Sequence, residues 1–313
     1  MCDTHSPFNI RHTEQCRELP ILPFYAIEQT VRELAPLGLK EIIPSTMGEP
    51  LLYPQFEELL QLAGETGVRV NLTTNATFPK GGADFWAERL LPVLSDVKFS
   101  LNAINSHINE RIMRGVQTEM QLENIRQFIK LRDEFTKATG KCPTVSIQMT
   151  FMRSNLESIS EVLHWAIKHN VDRLKGHHLW VNWPEMADEF IRDNPELKRR
   201  WSEVVCEVNH IAKTCLLPSG SQIRLENFAP LDDFDERAGQ CPFLGREAWV
   251  EANGTFQVCC CPSVVRDKFG EFGDIHQKKF GEFWRSDPYR EFISTWGNHE
   301  NCRICNMRKK SEF

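Results

Sequence analysis

Three observations predict an α/β fold. Apolar runs of strand length and amphipathic runs of helix length alternate between residues 23 and 180, and such alternation argues for parallel strands joined by crossover helices, in a barrel-like or doubly wound sheet. Small polar clusters follow three successive strand-like runs, where α/β proteins place ligands. After Pro218 the texture changes to a short, cysteine-rich segment with a hairpin signal.

The elements follow in order. Residues 24–35 read as a helix and 39–43 as a short apolar strand; 56–65 is helical and 68–73 a strand; 85–94 is helical and 97–101 a strand. A long helix is expected over 122–135 and a strand over 145–151. Leu156, Ile159, Leu163, Ala166 and Ile167 fall on one helical face, and 172–179 is the fifth strand. A sixth strand is expected ahead of residue 1. Residues 184–215 read as one or two bridging helices, broken at Asn194-Pro195. Residues 222–225 have strand character, and Asn253-Gly254 between two apolar runs is a hairpin turn. The expected division is 1–215 for the larger part and 216–313 for the extension.

Composition narrows the function. The 313 residues are 41% hydrophobic and 26% charged with a net charge of −6, so a broad basic surface for nucleic acid is not expected. Short basic runs such as 198–200 and 308–310 read as solvated faces. No signal-peptide core or membrane-length apolar run is visible, and the expectation is a cytoplasmic protein. Eleven cysteines in a reducing compartment argue for metal or cluster binding rather than disulfides.

The cysteine spacing carries the strongest chemistry. Cys241 precedes the hairpin, Cys259 ends it, and Cys302 and Cys305 form a Cys-x-x-Cys. Four thiolates suit a zinc ion or an iron–sulfur cluster, and Cys260 and Cys261 compete with Cys259 for one position. Cys142, Cys206 and Cys215 lie singly in or beside predicted strand or helix and read as ordinary core residues. The next signal is Thr46-Met47-Gly48-Glu49-Pro50-Leu51-Leu52 after the first strand. Gly48 permits close backbone approach, Glu49 can accept from a cationic amino group, and Pro50 fixes the turn. Thr73-Thr74-Asn75 and Ser100-Leu101-Asn102 end the next two strands, which suggests one polar small-molecule pocket. Arg111 and Arg114 follow and can pair with a carboxylate; an exposed helix position is the even alternative. His177, His178 and Trp180 end the last strand, as rim structure or as lining of a substrate pocket.

In combination these motifs resemble the radical S-adenosylmethionine (SAM) superfamily, with a C-terminal SPASM/twitch-type extension. The resemblance rests on the order strand, Gly-Glu-Pro-Leu-Leu, strand, Thr-Thr-Asn, strand, Ser-Leu-Asn, and on the four C-terminal cysteines. Phe272-Gly273-Asp274-Ile275 through Phe283-Trp284 resembles the stretch such extensions carry between their cysteines. Met47 stands where the family usually has glycine, and Asn102-Ala103 where it often has Asp-Gly. The resemblance implies a partial (β/α)6 TIM-like barrel with a small cysteine-rich hairpin and helix extension. It implies SAM contacts at Gly48, Glu49, Pro50, Thr74, Asn75, Ser100, Asn102 and one of Arg111 or Arg114. It also implies an auxiliary [4Fe–4S] cluster on Cys241, Cys259, Cys302 and Cys305.

The family's Cys-x-x-x-Cys-x-x-Cys triplet is absent, and Met1-Cys2 resembles its tail. Cys2 is therefore expected as the third ligand of a radical SAM [4Fe–4S] cluster whose other two cysteines lie upstream. The implied activity is reductive SAM cleavage to a 5′-deoxyadenosyl radical that abstracts hydrogen. It would oxidise or cross-link a peptide, a protein side chain or a small natural product, served by an electron donor such as flavodoxin or ferredoxin. No catalytic residue is singled out. Two alternatives stand beside this: a non-catalytic relative that binds a cluster or transfers electrons, and a zinc-binding interaction module.

Overall fold

The computed structural model describes residues 6, 8, 21–44, 48–231, 241–261, 263–295, 298–303 and 305. They fall into two compact units. One holds the described residues from 40 to 231, the other those before 40 and from 241 onward. The helix Phe24–Leu34, which the sequence groups with the larger part, belongs to the second unit.

The first unit is a six-stranded sheet in sequential order, with every neighbouring pair parallel. Its strands are β1 Glu41–Ile42, β2 Arg69–Thr74, β3 Leu94–Ser100, β4 Thr144–Phe151, β5 Arg173–His178 and β6 Arg224–Glu226. Sequential parallel order needs a crossover after each strand, and right-handed crossovers of that kind place the helices on one side. This selects the partial barrel over the doubly wound sheet. The five expected strands are β1 to β5, and the strand-like stretch 222–225 contributes β6, which pairs with β5. The helix expected over 85–94 is Gly82–Leu90, and Leu94 already opens β3; the apolar run from Leu90 to Val97 fits either period, so sequence alone misplaces that boundary.

Alternation along the strands produces two unlike faces. Val70, Leu72, Val97, Phe99, Val145, Ile147, Met149, Phe151 and Leu174 are fully buried on one face. Burying each such side chain contributes roughly 1.5–3 kcal/mol. The long helix Thr118–Thr139 supplies Leu122, Ile125, Phe128 and Ile129 to the core. Phe128 stacks on Phe78 and meets Phe99 edge-on, and the helix ends at Gly140, in the left-handed conformation at φ 72°. The predicted face Leu156, Ile159, Leu163, Ala166 and Ile167 is buried throughout. Asn194 caps the helix Pro195–Thr214 by accepting from the N–H groups of Glu196 and Leu197. The opposite face of the sheet is polar and carries Asn71, Thr73, Asp96, Lys98, Ser100, Ser146, Gln148, Thr150, Arg173, Lys175, His177 and Glu226.

The second unit is built around Phe256, which is fully buried against Phe280, Phe283 and Tyr289. Strands β7 Trp249–Val250 and β8 Phe256–Gln257 form the antiparallel hairpin predicted at Asn253-Gly254. Gly254 sits at φ 92°, and a Cβ there would come within 2.4 Å of His276, so glycine is required both for conformation and for space. The helix Phe24–Leu34 packs Leu34 onto this cluster, and Glu33 accepts from the Gly281 N–H at 3.0 Å.

Candidate active site

The predicted polar motifs converge on the C-terminal ends of β1, β2 and β3. Glu49, just ahead of the 3-10 turn Pro50–Leu52, turns its carboxylate onto the end of β2. One oxygen accepts from the Thr74 hydroxyl at 2.7 Å and from the Leu51 N–H at 3.3 Å. The other accepts from the Asn75 N–H at 2.8 Å. A carboxylate offers about four lone-pair sites, so Glu49 is oriented by three donors and retains capacity for another. Desolvation raises its pKa, opposed by those same hydrogen bonds. A cationic group would relieve that cost. A Cβ built at Gly48 meets no atom within 4 Å, so this residue borders open space rather than protein. Thr46 and Met47 lie outside the described residues.

The next segment is locked in place. The Asn75 side chain accepts from both the N–H and the hydroxyl of Thr77, at 2.9 and 2.7 Å. Ala76 between them is held at φ 60°, a conformation that costs a non-glycine residue free energy and clusters at functional sites. Gln121 ties the strand ends together by donating to the carbonyls of Asn75 and Ser100 at 2.7 and 2.8 Å. Its own oxygen accepts from Asn109 at 3.0 Å, and Asn109 also donates to Thr118 and accepts from the Asn102 N–H. Gln121, Asn109 and Thr118 are buried, and the motifs do not point to them. They sit singly on helices, and their only sequence signal is a polar residue at an otherwise apolar helical position.

The remaining SAM-site expectations fall as follows. Ser100 is half-buried on the polar face at the end of β3. Asn102 is buried, and its side-chain oxygen accepts from the Thr150 N–H at 2.9 Å while Asn155 donates to its carbonyl. That side chain joins β3 to β4. Arg111 is exposed and pairs with Glu189 at 3.2 Å, and Arg114 is exposed. Cys2 lies outside the described residues. Strand alternation separates the two histidines: His177 faces the polar side, while His178 is buried between Phe151 and Trp201.

The four C-terminal thiols belong to the second unit, all half-buried and none in a disulfide. Cys142 and Cys206, expected in the core, are exposed and Cys215 is half-buried, because they fall in a loop, on the outer face of the helix Pro195–Thr214 and at its C-terminal cap. Cys241 Sγ accepts from the Leu244 N–H at 3.4 Å. Cys259 follows β8 and packs on the Phe256 cluster. The Cys305 N–H donates to the Cys302 carbonyl at 3.4 Å, closing the Cys-x-x-Cys turn. Thiol donation from Cys260 and Cys261 holds Cys259 down at about 3, and the Arg266 charge favours the thiolate further. The same contacts push Cys260 and Cys261 up. Among the described residues no three His, Cys, Asp or Glu side chains stand in metal-ligating geometry. The donor chemistry nonetheless fits an iron–sulfur cluster. Thiolates are the soft ligands that such clusters take. Arg266 is buried beside them, with Nη2 on Glu251 at 3.0 Å and with Nε and Nη1 lacking any protein acceptor. Those two donors retain the capacity to bond an anionic group.

Comparison with known proteins agrees with both halves of this picture. The Radical SAM superfamily profile matches residues 1–166, and that of the SPASM iron-sulfur cluster-binding domain matches residues 241–306. The chain is 22% identical over 294 residues to the tungsten-containing aldehyde ferredoxin oxidoreductase cofactor-modifying protein of Pyrococcus furiosus, covering 88% of this chain and 76% of that one. The crystal structure of Streptococcus suis SuiB bound to S-adenosylmethionine superposes with a TM-score of 0.64 at 18% identity, over 87% of this chain and 60% of SuiB. The chain thus spans less than two thirds of SuiB. Native anSMEcpe with bound AdoMet gives a TM-score of 0.65 at 14% identity, over 98% and 85% of the two chains. These likenesses show the fold. Among the described residues no helix is long and apolar enough to cross a membrane. SAM and [4Fe–4S] clusters are the cofactors implied by the two matched domains, and the chain belongs to the radical SAM superfamily.

Proposed function

We propose that this protein is a radical SAM oxidoreductase or maturase that oxidises or cross-links a peptide, a protein side chain or a small natural product. The observation that carries the reading is the Glu49 carboxylate, held by Thr74 and Asn75 with one acceptor position left open. When bound, SAM and a reduced [4Fe–4S] cluster supply a 5′-deoxyadenosyl radical that abstracts hydrogen, the electron coming from a donor of the flavodoxin or ferredoxin kind. The residues of this chain bind and orient. Glu49 would accept from the SAM amino group, with Gly48 and Pro50 shaping the approach. Thr74, Asn75 and Ser100 would line the same pocket. Asn102 acts through the position of the β3–β4 edge, and Arg111 or Arg114 supplies a carboxylate partner. Cys2 is proposed as a ligand of the SAM-binding cluster. Cys241, Cys259, Cys302 and Cys305 would hold the auxiliary cluster, beside the Arg266 charge.

A peptide substrate is supported by SuiB, solved bound to precursor peptide SuiA, and by anSMEcpe, solved with the Cp18Cys and Kp18Cys peptides. Anaerobic reconstitution with iron and sulfide, followed by SAM binding and detection of 5′-deoxyadenosine under dithionite, tests the reading. A hydrogen bond to a charged group contributes roughly 1.5–3 kcal/mol, so Glu49→Gln should weaken SAM binding about tenfold or more. Unchanged binding in that variant would remove Glu49 from the site.

A further inference from the structure

Among the described residues, the polar face of the sheet carries an ion-pair network with one more cation than carboxylates. Asp96 pairs with Lys98 at 3.2 Å and with Arg173. Glu226 pairs with Arg173 at 2.8 Å and with Lys175 at 3.8 Å. Among the described residues, three cations therefore share two carboxylates. Other groups nearby do not close the gap. Glu41 is exposed and accepts from Asn71 at the far side of Lys98. Arg224 adds positive charge. Desolvation, together with the Lys175 charge, holds His177 below the usual histidine range and therefore neutral at pH 7. Asp96 and Lys98 are buried, at 6% and 7% exposure, and surplus charge in so dehydrated a place is costly unless a counter-ion completes it.

Lys175 is the least satisfied member. Its pair with Glu226 is the longest in the network, and its side chain is 26% exposed, so it remains within reach of a ligand. Desolvation and then the neighbouring Lys98 charge hold it below the usual lysine range, as expected of an ammonium short of negative charge. The strand register sets Ser100, Gln148, Lys175 and Glu226 in one row across β3, β4, β5 and β6. Lys175 therefore stands two strands from Ser100, on the same face and at the same height as the end of β3. Gln148 beside it offers an amide N–H.

We propose that Lys175 and Gln148 form a carboxylate-binding subsite on the polar face of the sheet. Resting on the reading of the β1–β3 rim as the active site, the subsite would hold an acidic group of the substrate, such as a peptide carboxylate or a small carboxylic acid. The ammonium supplies the point charge and the amide fixes direction. A bound carboxylate brings the network to neutrality. The methionine carboxylate of SAM presents the same chemistry, so the test separates the two sources.

The full chain is acetylated with an N-hydroxysulfosuccinimide ester at pH 8, and each lysine is followed by peptide mass spectrometry. Exposed Lys130 and Lys137 serve as references. Malonate stands for a substrate carboxylate and N-acetylmethionine, which has no amine to consume the ester, for that of SAM, each against chloride at matched ionic strength. Labelling of Lys175 should slow about fivefold at malonate four times its Kd, with the references unchanged. Glu226→Gln raises the surplus charge and should shift protection to lower malonate. Protection by N-acetylmethionine alone assigns the subsite to SAM and overturns the substrate reading, and protection by malonate supports it. Equal labelling of Lys175 in all anions overturns the proposal, as does a Lys175 that no condition labels, since its ammonium is then closed to ligands. The active-site reading fails separately. Protection without any 5′-deoxyadenosine keeps the subsite and removes the catalysis, while 5′-deoxyadenosine with Lys175 unprotected does the reverse.

Discussion

His178 should make the first unit acid-labile over a defined pH range. Its ring is buried at the end of β5, with centroids 4.8 Å from Trp201 and 5.4 Å from Phe151. Desolvation first, then the Arg192 and His177 charges, lower its pKa from 6.5 to about 3. The folded value is depressed, so the unfolded chain binds the proton first as pH falls. The stability contribution is fully present above pH 6.5 and is lost progressively as pH falls towards 3. Each pKa unit is 1.36 kcal/mol. The loss is therefore about 2 kcal/mol at pH 5 and about 4 kcal/mol at pH 3. His178→Phe removes the titration and keeps an aromatic ring in the same apolar setting. Urea unfolding of both proteins between pH 7.5 and pH 4.5 measures the effect, and their difference in unfolding free energy cancels every other titrating group. That difference should change in favour of the phenylalanine variant as pH falls. A difference that stays constant across the range would overturn the assignment of a dry imidazole and place His178 in contact with water.

Two further perturbations follow from buried arginines. Arg132 is 1% exposed and is held by Asp172, Asp133 and the carbonyls of Pro143 and Asn170. Arg132→Met leaves Asp172 without its partner and should cost about 3–5 kcal/mol in urea unfolding; a loss below about 1 kcal/mol would mean that water replaces the arginine freely. The Arg266 charge favours the Cys259 thiolate, so Arg266→Gln should lower the midpoint potential of the reconstituted auxiliary cluster in a dye-mediated titration followed by visible absorption. An unchanged potential would show that the guanidinium does not sense the cluster.

Much of the fold is readable because one signal dominates it. The helix-facing side chains of β2 to β5 are continuous enough in apolar character that strands appear as runs, and the helices between them keep a clean period. The boundaries slip where the two periods coincide, as between Leu90 and Val97. β6 reads only as a strand-like stretch outside the sheet, since three residues with two exposed or half-buried charges carry no apolar run. The rim motifs are legible because a short polar cluster at the end of each of three successive strands is hard to account for by helix capping alone. What each residue does there is not legible. Asn102 and Thr74 differ little in sequence context, yet one clamps β4 and the other orients Glu49. The braces behind them, Gln121 and Asn109, act through partners 7 to 46 residues away, and no local pattern encodes such distances.

The polarity of the inner face has a cost that stability alone does not justify. A sheet covered by helices on one side could bury its other face against apolar side chains at lower free energy. Instead, among the described residues, three cations and two carboxylates form a network of ion pairs there, each of which must be desolvated in part and held by well-placed partners. A matched set of apolar residues would stabilise the fold at least as well. A requirement for an ordered, charged surface accounts for the difference. The surface begins at the Glu49 rim, continues along the row from Ser100 to Lys175, and ends in a network whose imbalance has a sign. An apolar substrate would leave that imbalance in place on binding and would add desolvation to it. An acidic one removes it, so binding and charge neutralisation become a single event, and the affinity for substrate should fall steeply once the acidic group is removed by esterification.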